Sequence, residues 1–335
     1  VNSRERTLRA IEFQNPDKIP LCTSIDRNNE FNSELARLLQ SDSLSDMAVV
    51  SNSDPDFVPG PDGADEWGCV WKTAGYTFGE VVVHPLEDWD NWHRWYQEVP
   101  DWRLSRRYEL ASRMREQRPY LFLMGGLGFR MMNLIDFRGY QNFMTDFYLE
   151  PERLKTLIAL IDEKCEQAVE RYAAIGLDAV IVWEDWGLQN SLMIAPEMWR
   201  SFFKEPMRRL IQLVHQKGLK FIFHCCGYIL EIIDDLIEIG VDVLQLDQQK
   251  SMGLDTLSHW RGKICFFNPA DIQFTSGNCD LAAVEDYCQQ MVENLATPKG
   301  GFMYKMYSQP KAVEIPLEAL QGELKAFRKY NPFQS

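Results

Sequence analysis

No stretch of this chain is apolar and uncharged for long enough to span a bilayer, and no basic segment followed by an apolar run marks its N-terminus. The sequence therefore argues against membrane insertion and secretion and leads us to expect a soluble, cytoplasmic protein. Positive charge is in short supply. The 35 Lys and Arg face 49 Asp and Glu, a formal net charge of −14. A field of that sign repels phosphate backbones, so nucleic acid is excluded as a general partner. The eight cysteines are scattered, which does not fit the spacing of a small disulfide scaffold and predicts reduced thiols. Internal repeats, low-complexity runs and interdomain linkers are lacking as well, so residues 1–335 are expected to form a single domain. Histidine is scarce, at five residues, and only one of the five sits among other metal-binding side chains.

Short β-like runs recur along the chain: Ile19–Ile25, Met47–Val50, Tyr120–Met124, Ala179–Trp183, Lys220–Phe223, Val241–Leu246, Ile264–Phe267 and Gly301–Lys305. Helical patterns separate most of them, at Glu30–Leu39, Leu104–Gln117, Pro151–Ala174, Pro196–Lys217, Ile229–Ile239, Leu281–Leu295 and Pro316–Tyr330. Gly176, Gly218 and Gly240 stand where helix C-terminal caps belong, each just ahead of a strand. Strands alternating with helices imply a parallel sheet, and eight of them predict an α/β fold of the (β/α)8 TIM-barrel type, with a doubly wound sheet as the competitor. Residues 51–101 break the rhythm with prolines, glycines, tryptophans and two hairpin-like strands. This stretch reads as a long, lid-like βα insertion after the second strand.

In a barrel the C-terminal strand ends share one rim, and functional residues gather there. The segment Phe221–Gly227 places His224 and Cys226 two apart at such an end, with Cys225 turned the other way by strand alternation. Imidazole nitrogen and thiolate sulfur together suit zinc. The plainer alternative is a buried histidine beside two packed thiols. The run Val180–Trp183 stops at Glu184 and Asp185, flanked by Trp183 and Trp186. One carboxylate there completes a zinc site of three protein ligands, while the other orients His224 or acts as a general acid. For Asp185 a helix N-cap is the structural alternative. Asp26 and Arg27, after the first strand, read either as an ion pair on the rim or as an acid–base group and a substrate contact. Tyr304, Tyr307, Trp183 and Trp186 offer aromatic walls to a substrate, with core packing as the competing role.

Three blocks carry a resemblance: the opening Arg4–Pro20, the turn Trp183–Gln189 with Ala195–Trp199 after it, and the His-Cys-Cys-Gly turn followed by Ile232–Val243. Together they resemble the uroporphyrinogen decarboxylase superfamily over almost the whole chain. That resemblance implies a (β/α)8 barrel and one of two chemistries: metal-free decarboxylation of porphyrinogen acetate arms, or zinc-dependent methyl transfer to or from a corrinoid protein. The decarboxylases carry an arginine-rich turn after the first strand, where this chain has Ile25–Glu30 with one arginine and added acids. His224 and Cys226 are similar to the His-X-Cys zinc motif of the methyltransferase branch.

Members of that branch that methylate a thiol coenzyme supply a third ligand, a cysteine, near the last strand. Gly300–Ser308 contains no cysteine. The resemblance therefore leaves Glu184 as the expected third ligand, with Asp185 as its alternate. It implies Zn2+, a corrinoid (cobalamin) held on a separate partner protein, and a small methylated donor such as a methoxylated aromatic. Two other functions compete. One is a metal-independent decarboxylase or lyase using Asp26, Asp185 and His224; the other is a non-enzymatic tetrapyrrole- or corrinoid-binding protein.

Overall fold

A computed structural model describes residues 1–23, 45–59, 62–72, 79–275, 280–307 and 310–333. Eight parallel strands form one sheet. In chain order they are β1 (Leu21–Cys22), β2 (Met47–Val50), β5 (Phe122–Phe129), β6 (Ala179–Glu184), β7 (Lys220–Cys225), β8 (Val243–Leu246), β9 (Cys265–Asn268) and β10 (Phe302–Lys305). Two more, β3 (Val70–Lys72) and β4 (Glu80–Val83), pair antiparallel as a separate hairpin. The large sheet runs β1-β10-β9-β8-β7-β6-β5-β2. Its two ends meet through one backbone bond and two side-chain bonds: Asp46 donates its backbone N–H to the Leu21 carbonyl (2.7 Å) and accepts the Leu21 N–H on Oδ2 (3.0 Å), while Ser45 Oγ accepts the Thr23 N–H (3.0 Å). Arg6 Nη1 holds the other Asp46 oxygen at 2.6 Å. The barrel reading is therefore correct, and so is the insertion after the second strand.

Alternation along each strand divides the core in two. Phe122, Met124, Ala179, Ile181, Ile222, Val243, Cys265, Phe267 and Met303 point into the barrel. Ala10 and Ile11 of the helix Ser3–Ile11 join this interior cluster. Neighbours of opposite parity, such as Val180, Val182, Phe221, Phe223 and Leu244, point outward and pack under the helices. Gly176, at φ 82°, caps the helix Pro151–Ile175 in the left-handed conformation that glycine alone adopts without strain. The pattern Pro196–Lys217 forms as expected but passes through a π turn at Arg200–Lys204. Pro206 has no N–H to donate to the 202 carbonyl, and the wider turn accommodates that gap.

Two helices, Arg130–Arg138 and Tyr140–Leu149, follow β5 where the sequence suggested nothing regular, and β5 itself runs to Phe129. In the insertion, Trp67 lies 5.1 Å from Phe137 and about as close to Trp95 (6.3 Å) and Trp102 (6.0 Å). These tryptophans form the insertion's own core against the helix Arg130–Arg138. The expected helix Glu30–Leu39 lies outside the described residues. Among the described residues, no helix is long and apolar enough to cross a membrane.

One buried carboxyl makes stability depend on pH. Glu323, on the helix Leu317–Lys329, is 1% exposed and accepts the Tyr304 hydroxyl at 2.8 Å. Burial raises its pKa from 4.5 to about 8, so the fold retains a proton that the unfolded chain releases at lower pH. A raised carboxyl pKa makes stability fall as pH rises between these two values. Urea unfolding of Glu323→Gln should match the wild type at pH 5 and exceed it by on the order of 2 kcal/mol at pH 8. Parallel pH profiles for the two proteins would refute this assignment.

Candidate metal centre at the barrel mouth

The ladder between β6 and β7 pairs Trp183 with His224 and Glu184 with Cys225. Continued by one residue, that register sets Asp185 opposite Cys226. Cys226 donates its N–H to the Glu184 carbonyl (3.1 Å), and Gly187 donates to the Cys226 carbonyl (3.2 Å), so the two strand ends stay together beyond the sheet. Inward parity runs through Ile181, Trp183 and Asp185 on one strand and through Ile222, His224 and Cys226 on the next.

Asp185, His224 and Cys226 consequently converge, each offering one ligand atom within 4.8 Å of the others. Cys226 Sγ lies 3.6 Å from His224 Nε2. Asp185 Oδ1 is buried and has no hydrogen-bond partner among the described residues. A carboxylate oxygen desolvated without a donor is costly unless a cation takes that place. The donor set, one oxygen, one nitrogen and one sulfur, is one that zinc accepts. The residues therefore fit the metal that the sequence implied.

Charge and hydrogen bonding around the three are tightly arranged. His224 Nδ1 faces Gln245 Oε1 at 2.5 Å. Gln245 Nε2 donates to Asp247 Oδ1 at 2.6 Å, and Lys305 Nζ donates to both Asp247 oxygens (2.9 and 3.0 Å) and to Gln245 Oε1 (3.0 Å). Burial raises the Asp247 carboxyl, but Lys305 and His224 outweigh it and leave the pKa below the usual value. Burial lowers His224, with Asp247 opposing and Lys305 reinforcing, which favours the neutral ring that a metal binds. Burial raises the Cys226 thiol, and the nearby carboxyls of Asp185 and Asp247 raise it further. Ionising that sulfur calls for a cation beside it.

The other expected site residues divide by parity. Trp183 faces the mouth, half-buried, with Phe129 5.9 Å away and 40% exposed. Tyr307 also faces it, since burial and then Asp247, Cys226 and Asp185 push its hydroxyl up to about 12. Three expectations are corrected. Glu184 points outward, where its Oε2 accepts the Met131 N–H (3.0 Å) and its Oε1 lies 3.6 Å from Arg130; burial pushes it up to about 7. The carboxylate that converges with His224 and Cys226 is therefore Asp185, not Glu184. Trp186 packs outward against Phe203, with ring centroids 4.5 Å apart. Tyr304 is fully buried between Glu323 and Phe327, against the helix Leu317–Lys329 and away from the three converging donors. Cys225 is packing, as expected, with its sulfur 3.2 Å from the Trp186 nitrogen. Asp26 and Arg27 lie outside the described residues.

The sequence reading missed Gln245 and Phe129. For Gln245 a signal existed: a lone amide in the apolar run Val243–Leu246, at inward parity. Phe129 was missed because β5 outlasts its apolar core by several residues. Beside Cys226 a groove of about 310 Å³ opens, lined by Gly187, Leu188, Gln189, Gln248, Ser251 and Gln273, and among the described residues no charged side chain lies on its walls.

Comparison with known proteins adds a lineage to this geometry. Over its whole length the chain is similar in fold to a methyltransferase from Methanosarcina mazei: 14% identity, 98% of this chain and 99% of that one covered, TM-score 0.67. A sugar phosphate isomerase/epimerase from Parabacteroides distasonis is also similar, at 11% identity over 93% of this chain and 94% of that one, with a TM-score of 0.44. No curated protein matches the sequence. The family described as uroporphyrinogen decarboxylase (URO-D) matches residues 79–266, which contain β5 to β8, all three converging donors and the first half of β9. Since that match takes in more than half of the chain, the protein belongs to the uroporphyrinogen decarboxylase family.

Proposed function

We propose that the protein is a zinc-dependent methyltransferase that moves a methyl group between a small methylated donor, such as a methoxylated aromatic, and a corrinoid carried by a separate protein. The observation that carries this reading is the convergence of Asp185, His224 and Cys226, with a buried carboxylate oxygen that lacks a partner. These three residues would hold the zinc. When bound, zinc supplies Lewis acidity to the heteroatom that bears the methyl group. Trp183, Phe129 and Tyr307 present aromatic surface to a flat donor at the mouth and exclude water from it. Lys305 is already paired with Asp247, and the described residues lining the groove beside Cys226 carry no charge, so neither offers a grip on a polycarboxylate. The Methanosarcina protein of the same fold, named as a methyltransferase, is in keeping with the reading.

The family match favours a second reading, metal-free decarboxylation with Asp185 and His224 as acid–base groups. Metal analysis separates the two. The purified protein should carry about one zinc per chain, and methyl transfer from methoxylated aromatics to reduced cobalamin should stop on chelation and return with zinc. A metal-free protein that decarboxylates a porphyrinogen regardless of chelator would establish the second reading instead.

A further inference from the structure

We propose that Gln245 fixes His224 in the tautomer protonated at Nδ1, leaving the Nε2 lone pair for the metal, and that Asp247 and Lys305 hold the Gln245 amide the right way round. The part concerning metal rests on the zinc reading; the tautomer does not.

Charge alone orients this amide. A lysine ammonium has only donors, so the Gln245 atom 3.0 Å from Lys305 Nζ must be the oxygen. An ionised carboxylate has only acceptors, and both Asp247 oxygens already receive protons from Lys305, so the Gln245 atom 2.6 Å from Asp247 must be the NH2 group. Rotating the amide by half a turn would set NH2 against the ammonium and oxygen against the carboxylate. Gln245 is fully buried, so no solvent compensates for that exchange. The oxygen so placed lies 2.5 Å from His224 Nδ1, and an oxygen without a proton must be met by a donor. The proton of the neutral ring is therefore on Nδ1. Nε2 then carries its lone pair toward Cys226 Sγ, 3.6 Å away.

Gln245 touches no metal ligand atom and acts as a positioning residue. Three strands contribute to the device: β7 brings His224, β8 brings Gln245 with Asp247 just beyond its end, and β10 brings Lys305. A ring free to choose its tautomer would present an N–H to the metal part of the time, and a freely turning ring would seldom aim at it. Removing such an orienting partner typically weakens metal binding by roughly 10–100-fold.

The test uses full-length, zinc-free protein labelled with 15N-histidine, with His224→Gln to identify the His224 signals. Long-range proton–nitrogen correlation should show the His224 proton on Nδ1 in the wild type and on both nitrogens in Gln245→Leu. Zinc affinity, measured by chelator competition, should fall roughly 10–100-fold in Gln245→Leu. The double variant Gln245→Glu/Asp247→Asn, which keeps an oxygen facing Nδ1 and supplies an amide donor where the carboxylate accepted one, should restore both the tautomer and near wild-type affinity. A wild-type proton on Nε2 would overturn the proposal, and so would a Gln245→Leu protein with unchanged tautomer and affinity. A wild type that binds no zinc but keeps the proton on Nδ1 would sink the zinc reading and leave the tautomer lock standing.

Discussion

Cys226→Ser should bind no stoichiometric zinc and transfer methyl groups at least about 10³-fold more slowly than the wild type, since losing roughly 4 kcal/mol of charge stabilisation slows a step by about that factor. A serine hydroxyl occupies the same place but does not ionise beside a metal as a thiol does, and oxygen is a harder donor than sulfur. Asp185→Asn removes the charge from the oxygen that lacks a partner and should likewise lose the metal. Glu184→Gln provides the contrast. Its side chain sits outside the barrel wall against Met131 and Arg130, and an amide oxygen still accepts the Met131 N–H. That variant should keep its zinc and most of its turnover. Elemental analysis and methyl-transfer rates on the three proteins decide the matter, and a Glu184→Gln protein without zinc beside an Asp185→Asn protein with it would reverse the ligand assignment.

Gly227→Ala should destabilise the fold by about 2–5 kcal/mol and abolish metal binding with it, adding the cost of overpacking to that of a left-handed L-residue. A Cβ on Gly227 would lie 2.1 Å from the Gly187 carbonyl oxygen, and φ is +74°. A Cβ on Gly187 would meet the Tyr228 nitrogen at 2.3 Å. Both obstacles are backbone, which cannot swing aside as a flexible side chain does. This crossing of two glycines carries the β6 and β7 ends past each other, and so sets Asp185 against Cys226. Separating the loops should part the ligands before it unfolds the barrel. Urea unfolding and chelator competition on the same variant read the two effects, and a stable variant with intact metal affinity would show that the close approach is dispensable.

Much of the fold was legible because it is local. Gly176, Gly218 and Gly240 cap helices through their own conformational freedom, all at positive φ, and each β-like run became a strand within a few residues. Two helices after β5 were not legible, because Arg130–Leu149 carries no strong helical stripe between its aromatic and polar residues. The placing of His224 and Cys226 on one side of one strand needed only the two-residue period of extended chain.

By itself the sequence determined that this chain alternates strands and helices into a barrel, and that a histidine and a cysteine share one strand end. The choice between Glu184 and Asp185 depended on tertiary structure. A parallel strand buried on both faces is apolar at every position, so Val180–Trp183 has no polar alternation to mark inside from outside. Only the closed sheet, with its register against β7, turns Asp185 inward and Glu184 toward Arg130. The same holds at β10, where Phe302–Lys305 gave no sign that Tyr304 faces the helices and Lys305 the mouth. Gln245, Asp247 and Lys305 meet His224 across strands far apart in sequence, and the barrel alone brings them within hydrogen-bonding distance.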